Sequence, residues 1–459
     1  MKGSPLLNTH KLLPPLANLR APLWASAVCL LITLVVASPS AHAQSGRLER
    51  ERGRVMLNTI KSELKSNYYD PNFHGMDLDT RFKEAEEKIK QANSVSQIFG
   101  IIGQAVVDLD DSHTLFIPPE RASRTEYGWQ VQMFGQKCYV TAVQPGTDAE
   151  AKGLKPGDLV LSLNGYEPTR DDLWKMQYAY YALKPQTSIK FVVQSPGGQP
   201  RTLEVMSKIV TGKRVLDLSG MGTGMDIAQV IRDSVSAAHY NRHRYYETPD
   251  AFIWKMPEFN LRDKEVDDIM GKVAGRKSLI LDLRGNGGGY ETTLLRLLGN
   301  VFDHDVTIGE MKRRKESKPM IAKTRGEKTF KGQLIVLVDS RSASAAELFA
   351  RVVQLEKRGT VIGDRTMGAV MRSRTYEHNT GNDEQMAIYA VSITDADIIM
   401  TDGASLEHVG VMPDQLLLPS ASNLAAQRDP VMFRATTLAG LNIEPEKVGT
   451  LFPIEWRKY

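Results

Sequence analysis

The sequence predicts an α/β protein: a mostly parallel βαβ core, preceded by a helical bundle and an inserted β-rich module. Three observations lead there. From residue 251 onward, apolar strand-like runs alternate with amphipathic helical ones, the pattern of parallel strands covered on both faces. Between 125 and 210, short strand-like runs are punctuated by glycine and proline. Between 47 and 112, apolar residues recur at helical spacing among charged ones. With 459 residues, 42% of them hydrophobic, the chain is long enough for two or three buried cores.

Residues 1–43 read as a secretory signal peptide. MKGSPLLNTHKLLPPLANLR carries only basic charge, APLWASAVCLLITLVVASPS is apolar, and Ala41-His42-Ala43 is a small-x-small exit. Cleavage after Ala43 is expected, the alternative being a retained membrane anchor, because the apolar run approaches spanning length. No later run is apolar for long enough to cross a bilayer, so no stable membrane association is expected after removal. Taking Lys2, Lys11 and Arg20 from the 58 basic residues leaves 55 against 54 acidic ones, a net of +1. That balance excludes an electrostatic nucleic-acid binder. Cys29 lies in the leader and Cys138 stands alone beyond it, so no internal disulfide forms. No Cys/His group has metal-ligand spacing, and neither metal nor cofactor is expected. Nothing in the sequence specifies an oligomeric state.

The elements follow in order. The bundle, 44–120, is built from RLERERGRVMLNTIKSELKSNYYD, from DTRFKEAEEKIKQA with Asp77 or Asp79 as its cap, and from SVSQIFGIIGQAVVDL. In the β-rich module, 121–210, QKCYVTAVQPGTDAEAKGLKPGDLVLSLNGYEP alternates strand and turn, and TSIKFVVQSPGGQPRTLEVMS is a hairpin around Pro196-Gly197-Gly198. The core, 211–425, runs AFIWKMPEF (strand), LRDKEVDDIMGKVAG (helix), SLILDL (strand), TTLLRLLGNVF (helix), QLIVLVD (strand), AAELFARVVQLEK (helix) and TVIGD (strand). The tail, 426–459, closes with a helix in MFRATTLAGL.

Two loops carry candidate chemistry. SLILDL runs into RGNGGGY, where glycines free backbone N–H groups to cradle an oxyanion or phosphate; a tight βα turn is the plainer reading. The dinucleotide fingerprint needs a glycine where Tyr290 stands, and no Gly-Lys-Ser/Thr occurs. VDSRSASAAELFARVVQ follows a strand aimed at the same sheet edge, where ligands of open α/β sheets bind. A serine there feels the positive end of the helix dipole, and the N–H of Ala345 is free to donate. From the stretch alone, Ser342 or Ser344 is either a nucleophile or an N-cap.

Taken together, ILDLRGNGGG, SASAAE, VIGDRTMGA and DGASLEHVGVMPD form an ordered set within residues 50–420. The set resembles the C-terminal-processing (tail-specific) serine peptidases and their tricorn-type and retinoid-binding-protein-like relatives. The resemblance implies a ClpP/crotonase-like core, and QKCYVTAVQPGTDAEAKGLKPGDLVLSLNG resembles a bacterial PDZ domain. It further implies Ser344 as nucleophile, with Ala345 and either Gly287 or Gly288 as the oxyanion hole. The processing peptidases use a lysine base at a position that is Ala369 here, and Lys357, at the far end of its helix, should face solvent. The tricorn-type branch resembles this chain at DDSHTLF and GASLEHVGV. That branch implies His113 as general base, supported by Ser112 and Glu407. Competing readings are a packed loop histidine for His113, a surface turn for Glu407, and His408 as a rival base. Asp282 reads as a strand-end residue and Glu347 as structural. In the PDZ-like module the carboxylate-loop position is held by Tyr127-Gly128-Trp129-Gln130, expected to bind peptide by strand addition; Trp129 and Gln130 are bulky there, and the alternatives are a narrowed groove, a lid, or a spacer that packs on the core. The expected function is an exported serine endopeptidase, periplasmic or secreted, acting on protein or peptide substrates. The alternative is a catalytically inactive homologue that acts as a PDZ-type peptide-binding protein, for which the missing lysine is the main support.

Overall fold

The structure, a computed structural model, describes residues 38–121, 123–211, 242–381 and 386–456. Residues 1–37 of the expected leader lie outside the described residues. Among the described residues no helix is long and apolar enough to cross a membrane.

The chain begins with α1 (Ser38–Asn67), α2 (Leu78–Lys90) and α3 (Val95–Val107). Asp77, not Asp79, caps α2, accepting the Thr80 N–H at 3.0 Å. Asp79 instead pairs with Lys61 and Lys65. Ser94 caps α3 through the Gln97 N–H at 3.2 Å. The apolar stripes of the three helices (Leu57, Ile60 and Leu64; Phe82 and Ile89; Ile98 and Ile102) meet in one buried cluster.

From α3 the chain enters β1 (Leu115–Ile117) and β2 (Ser123–Glu126). The β-rich module follows: β3 (Trp129–Phe134), β4 (Lys137–Val143), α4 (Asp148–Ala151), β5 (Leu159–Leu163), α5 (Leu173–Tyr178), β6 (Ser188–Gln194) and β7 (Pro200–Met206). Its five strands pair in sequence order, all antiparallel. β8 (Lys208–Thr211) turns back onto β2, so the segments leading into and out of the module form an antiparallel ribbon.

The remainder is β9 (Arg244–Glu247), β10 (Ala251–Lys255), α6 (Asp263–Val273), β11 (Ser278–Asp282), α7 (Glu291–Val301), β12 (Val306–Lys312), β13 (Ser317–Ala322), β14 (Gln333–Val338), α8 (Ala345–Leu355), β15 (Gly359–Gly363), β16 (Met371–Thr380), β17 (Ala387–Met400), β18 (Gln415–Leu416), α9 (Ala421–Ala425), α10 (Pro430–Leu438) and α11 (Pro445–Gly449). A six-stranded sheet has the order β18-β15-β14-β11-β10-β9 and is parallel except at β9. The four inner strands β10, β11, β14 and β15 are mostly apolar because both of their faces are covered. Phe252, Trp254, Leu279, Leu281 and Val336 face α6, α7 and α8. Ile253, Ile280, Ile335 and Leu337 face Val431, Met432 and Ala435 of α10 and Val448 of α11, so the closing helices form a full layer.

A second, five-stranded sheet was not expected from the sequence. Its order is β1-β17-β12-β13, with β16 on β17, and every pair is antiparallel. MRSRTYEHNT and MKRRKESKPM are polar and charged because one edge or face of each strand meets solvent, which hides the strand period. Tyr389, Val391 and Ile393 of β17 pack with Phe116 of β1 into the helical cluster. The bundle is thereby fused to the core.

The β-rich module sits on the core through polar contacts. Gln132 donates to Asp339 at 2.7 Å, the Ser340 hydroxyl to the Met133 carbonyl at 2.6 Å, and the Gly135 N–H to Asp364 at 2.9 Å. Arg170 pairs with Asp364 at 3.0 Å, with side chains 6% and 4% exposed. Removing one partner of a buried pair strands the other charge. Arg170→Ala should therefore lower the unfolding free energy by roughly 3 kcal/mol, read as a lower denaturant midpoint.

Candidate active site

The parallel strands end at one edge, and the loops that leave it build the site. Asp282 closes β11. Burial pushes its carboxyl up, but Arg284 and Lys255 outweigh that and hold it well below the usual range. It accepts Arg284 Nε at 2.9 Å and the Arg284 N–H at 3.1 Å, the strand-end role expected of it. Arg284 reaches on to Asp429, the cap of α10. Next comes the glycine loop. Asn286 donates to the Met256 carbonyl at 2.9 Å and accepts the Gly288 N–H at 2.8 Å. Gly288 has φ +98°, and a Cβ there would lie 2.6 Å from the Ser344 Cβ and 3.1 Å from its Oγ. The backbone can thus approach the serine only if residue 288 is glycine. Its N–H is committed to Asn286, whereas the Gly287 N–H has no intrachain partner among the described residues.

Three serines precede α8, and they differ in kind. Ser340 binds the module. Ser342 is fully buried, donating to the Leu283 carbonyl at 2.8 Å and accepting the Asp339 N–H at 2.9 Å, so it staples two loops together. Ser344 is half-buried, with φ +55° and ψ −119°. That left-handed conformation costs a non-glycine residue on the order of 1 kcal/mol or more, and such strain gathers at functional sites. Two acceptors hold it in place: the Ala369 carbonyl takes the Ser344 N–H at 2.8 Å and Glu347 takes it at 3.0 Å. Ala345 begins the helix, and its N–H has no backbone acceptor.

Glu347 organises this corner. Besides Ser344 it accepts the Gly368 N–H at 2.8 Å, the Ala369 N–H at 2.9 Å and the Thr366 hydroxyl. Burial pushes its carboxyl up to about 7 against those donors. Ala369, where the processing peptidases carry lysine, contributes only backbone groups. Lys357 is exposed, as expected.

Ser112, His113 and Glu407 come from opposite ends of the chain and meet here. Glu407 accepts the Ser112 N–H at 2.8 Å, the Ser112 hydroxyl at 2.9 Å and the Val370 N–H at 2.8 Å. Ser112 Oγ lies 2.7 Å from His113 Nδ1. A hydroxyl has one hydrogen. Once it is given to Glu407, Oγ must accept from the ring, so Nδ1 carries the proton and Nε2 the lone pair. Burial pushes His113 below the ordinary histidine value, against the pull of Asp111, and burial pushes Glu407 up. His408, the rival base, is exposed and commits Nε2 to the Asp110 carbonyl at 3.0 Å, which makes that nitrogen a donor. Residues 369 and 370 join the halves, the first bonded to Ser344 and the second to Glu407. Asn286 and Asp339 lie inside the motifs, yet spacing alone did not single them out. Asn286 shapes the glycine loop, and Asp339 holds the Gly285 N–H at 2.9 Å.

The loop in the carboxylate-loop position of the module turns its aromatic side chains inward. Tyr127 and Trp129 are 4% and 3% exposed. They pack 5.5 Å apart, with Trp129 edge-on to Phe191 at 4.9 Å. Both side chains belong to the module's own core. The Tyr127 hydroxyl donates to the Tyr180 carbonyl, and the Gly128 carbonyl accepts the Gln144 N–H at 2.8 Å. Gln130 is half-buried on β3.

Two substitutions test this geometry. Gly288→Ala should abolish turnover while the protein remains folded by circular dichroism, because the added methyl collides with Ser344. Glu347→Gln should both cut turnover and lower the unfolding free energy by about 2 kcal/mol, since its amide turns a donor toward N–H groups that need an acceptor.

Residues 253–417 match the model for peptidase family S41, and residues 100–206 match that for the PDZ domain. The chain is 22% identical over 413 residues to the carboxy-terminal processing protease CtpA of Bacillus subtilis, an alignment covering 86% of this chain and 76% of that one. It is 24% identical over 404 residues to the tail-specific protease of Haemophilus influenzae, covering 82% of this chain and 53% of the relative. Among solved structures, mature CPAF shares the fold with a TM-score of 0.60 and 14% identity, covering 82% of this chain and 94% of that one. The chain thus carries a segment similar to peptidase family S41 across its core, preceded by a segment similar to the PDZ domain.

Proposed function

We propose that this chain is an exported serine endopeptidase of the Ser-His-Glu kind, not a Ser–Lys enzyme. The observation that carries the reading is the Glu407–Ser112–His113 relay, which leaves a lone pair on His113 Nε2, bonded through residues 369–370 to a strained serine at a helix N-terminus. Ser344 Oγ attacks the peptide carbonyl carbon while His113 Nε2 takes the hydroxyl proton. Positive charge then on the ring is stabilised by Glu407 through Ser112. The N–H groups of Ala345 and Gly287 receive the oxyanion, Gly287 being preferred because the Gly288 N–H is already committed. Breakdown breaks the C–N bond, and Nε2–H gives its proton to the leaving amine. Water, deprotonated by the same nitrogen, then releases the acyl group from Ser344. The apolar run and Ala41-His42-Ala43 exit support export.

A fluorophosphonate probe should label the wild-type protein and not Ser344→Ala. Absence of label on the folded wild-type chain would favour a peptide-binding relic that has lost catalysis. The base is active when neutral, so the rate should be full above its folded pKa and fall as pH drops through it. Because burial depresses that value, the midpoint of the acid limb should lie below ~6.5. Ser112→Ala, which cuts the relay, should lower kcat on the order of 100-fold with little change in KM.

A further inference from the structure

We propose that Asp111 is the positioning residue for the His113 imidazole: its buried carboxylate fixes the turn that presents the ring and sets a negative charge beside it. The proposal rests on the assignment of His113 as base. Asp111 is 3% exposed and has a partner on every side. Oδ1 accepts the His113 N–H at 2.8 Å, the Thr114 N–H at 2.8 Å and the Thr394 hydroxyl at 2.7 Å. Oδ2 accepts the Thr114 hydroxyl at 2.7 Å. Thr114 Oγ1 in turn accepts the Thr394 N–H at 3.0 Å, so the turn is bolted to β17 through both threonines.

The residues just before are pinned as well. His74 Nδ1 lies 2.9 Å from the Leu109 carbonyl, and His408 Nε2 lies 3.0 Å from that of Asp110, which has φ +54°. From Leu109 to Thr114 the backbone is held at nearly every residue, although this stretch is neither helix nor ladder until β1 begins. Such over-determination is what a ring needs if it is to meet a hydroxyl at proton-transfer distance. Glu347 does the matching work for Ser344: each catalytic group proposed here hangs from a buried carboxylate that binds its own backbone N–H.

Asp111 also acts through space. Burial weakens His113 as a base, and Asp111 is the charge that opposes burial. Other ionisable groups near the turn include Asp110 beside it in the chain, Glu407, reached through Ser112, the phenols of Tyr68 and Tyr69 with Asp70 and Asp397 beside them, and His74 and His408 on the flanking carbonyls.

The test measures kcat and KM against pH for the intact protein carrying Asp111→Asn, Thr394→Val, Thr394→Ser or His113→Gln. Asparagine keeps an oxygen for the two N–H groups and loses the charge. Expected for Asp111→Asn is a kcat lower by about 10-fold, KM within twofold, and an acid limb moved to lower pH by roughly half a unit or more. Thr394→Val should lose a smaller part of kcat, and Thr394→Ser should restore it. An Asp111→Asn protein with the wild-type kcat, or with reduced kcat but an unmoved acid limb, overturns the proposal. If Asp111→Asn fails to fold, Thr394→Val decides: a kcat and acid limb matching wild type overturn the proposal, and a loss rescued by Thr394→Ser sustains it. His113→Gln at full rate would remove the base itself and this inference with it. An inactive His113→Gln beside an unaffected Asp111→Asn would leave the base standing and remove only Asp111.

Discussion

The pairing of β1 with β17 is the constraint on which the rest depends. Leu115, Phe116 and Ile117 lie opposite Ser392, Val391 and Ala390. This short ladder carries a loop from the helical bundle into a sheet otherwise made by the second half of the chain. β16, also paired with β17, starts at Met371, directly after the two residues that hold Ser344 and Glu407. Two strands laid on one neighbour therefore set the spacing between the proposed base and the proposed nucleophile. A slip of one residue in β1 would turn Phe116 out of its core and swing Ser112 away from Glu407. The core guards against such a slip, since Phe116 is fully buried against Phe99 and Tyr389.

The site is also a lesson in where buried charge is tolerated. Asp111, Asp282, Asp339, Glu347 and Asp364 are all buried. Each is matched by donors: backbone N–H groups at the loops, guanidinium or ammonium groups for Asp282 and Asp364, a carboxamide for Asp339. Left unmatched, any one of them would cost several kcal/mol. Matched, they do what apolar packing cannot, because hydrogen bonds specify direction where dispersion does not. The strained backbone of Ser344 persists in this setting.

The PDZ module is attached by the same chemistry. Its contacts with the loops after β14 and β15 are polar, and Asp339 serves both sides at once, taking Gln132 from the module and the Gly285 N–H from the glycine loop. The module is thus one carboxylate away from the backbone beside the proposed oxyanion groups. Its aromatic loop residues, meanwhile, belong to its own core.

Much of this could be read before any coordinates. The helices at α6, α7 and α8 and the strands β10, β11, β14 and β15 were legible because their apolar period is strong and both sheet faces are buried. The small-residue stretches around Ser344 and Gly287 stood out at the ends of apolar strands, but residue pattern alone left a cap and a tight turn open, and only the family resemblance gave Ser344 a role. The five-stranded sheet was not, since β12, β13 and β16 keep a charged edge or face that masks alternation. Nor did spacing choose between Gly287 and Gly288, or reveal that Tyr127 and Trp129 turn inward. Local sequence determined the elements, the helix caps and the residue types able to do chemistry, because those depend on neighbours a few positions away. The fold alone decided which of them meet: Ser112 and Glu407, 295 positions apart, share hydrogen bonds only because a ladder of backbone pairs brings them together. No local pattern encodes that distance.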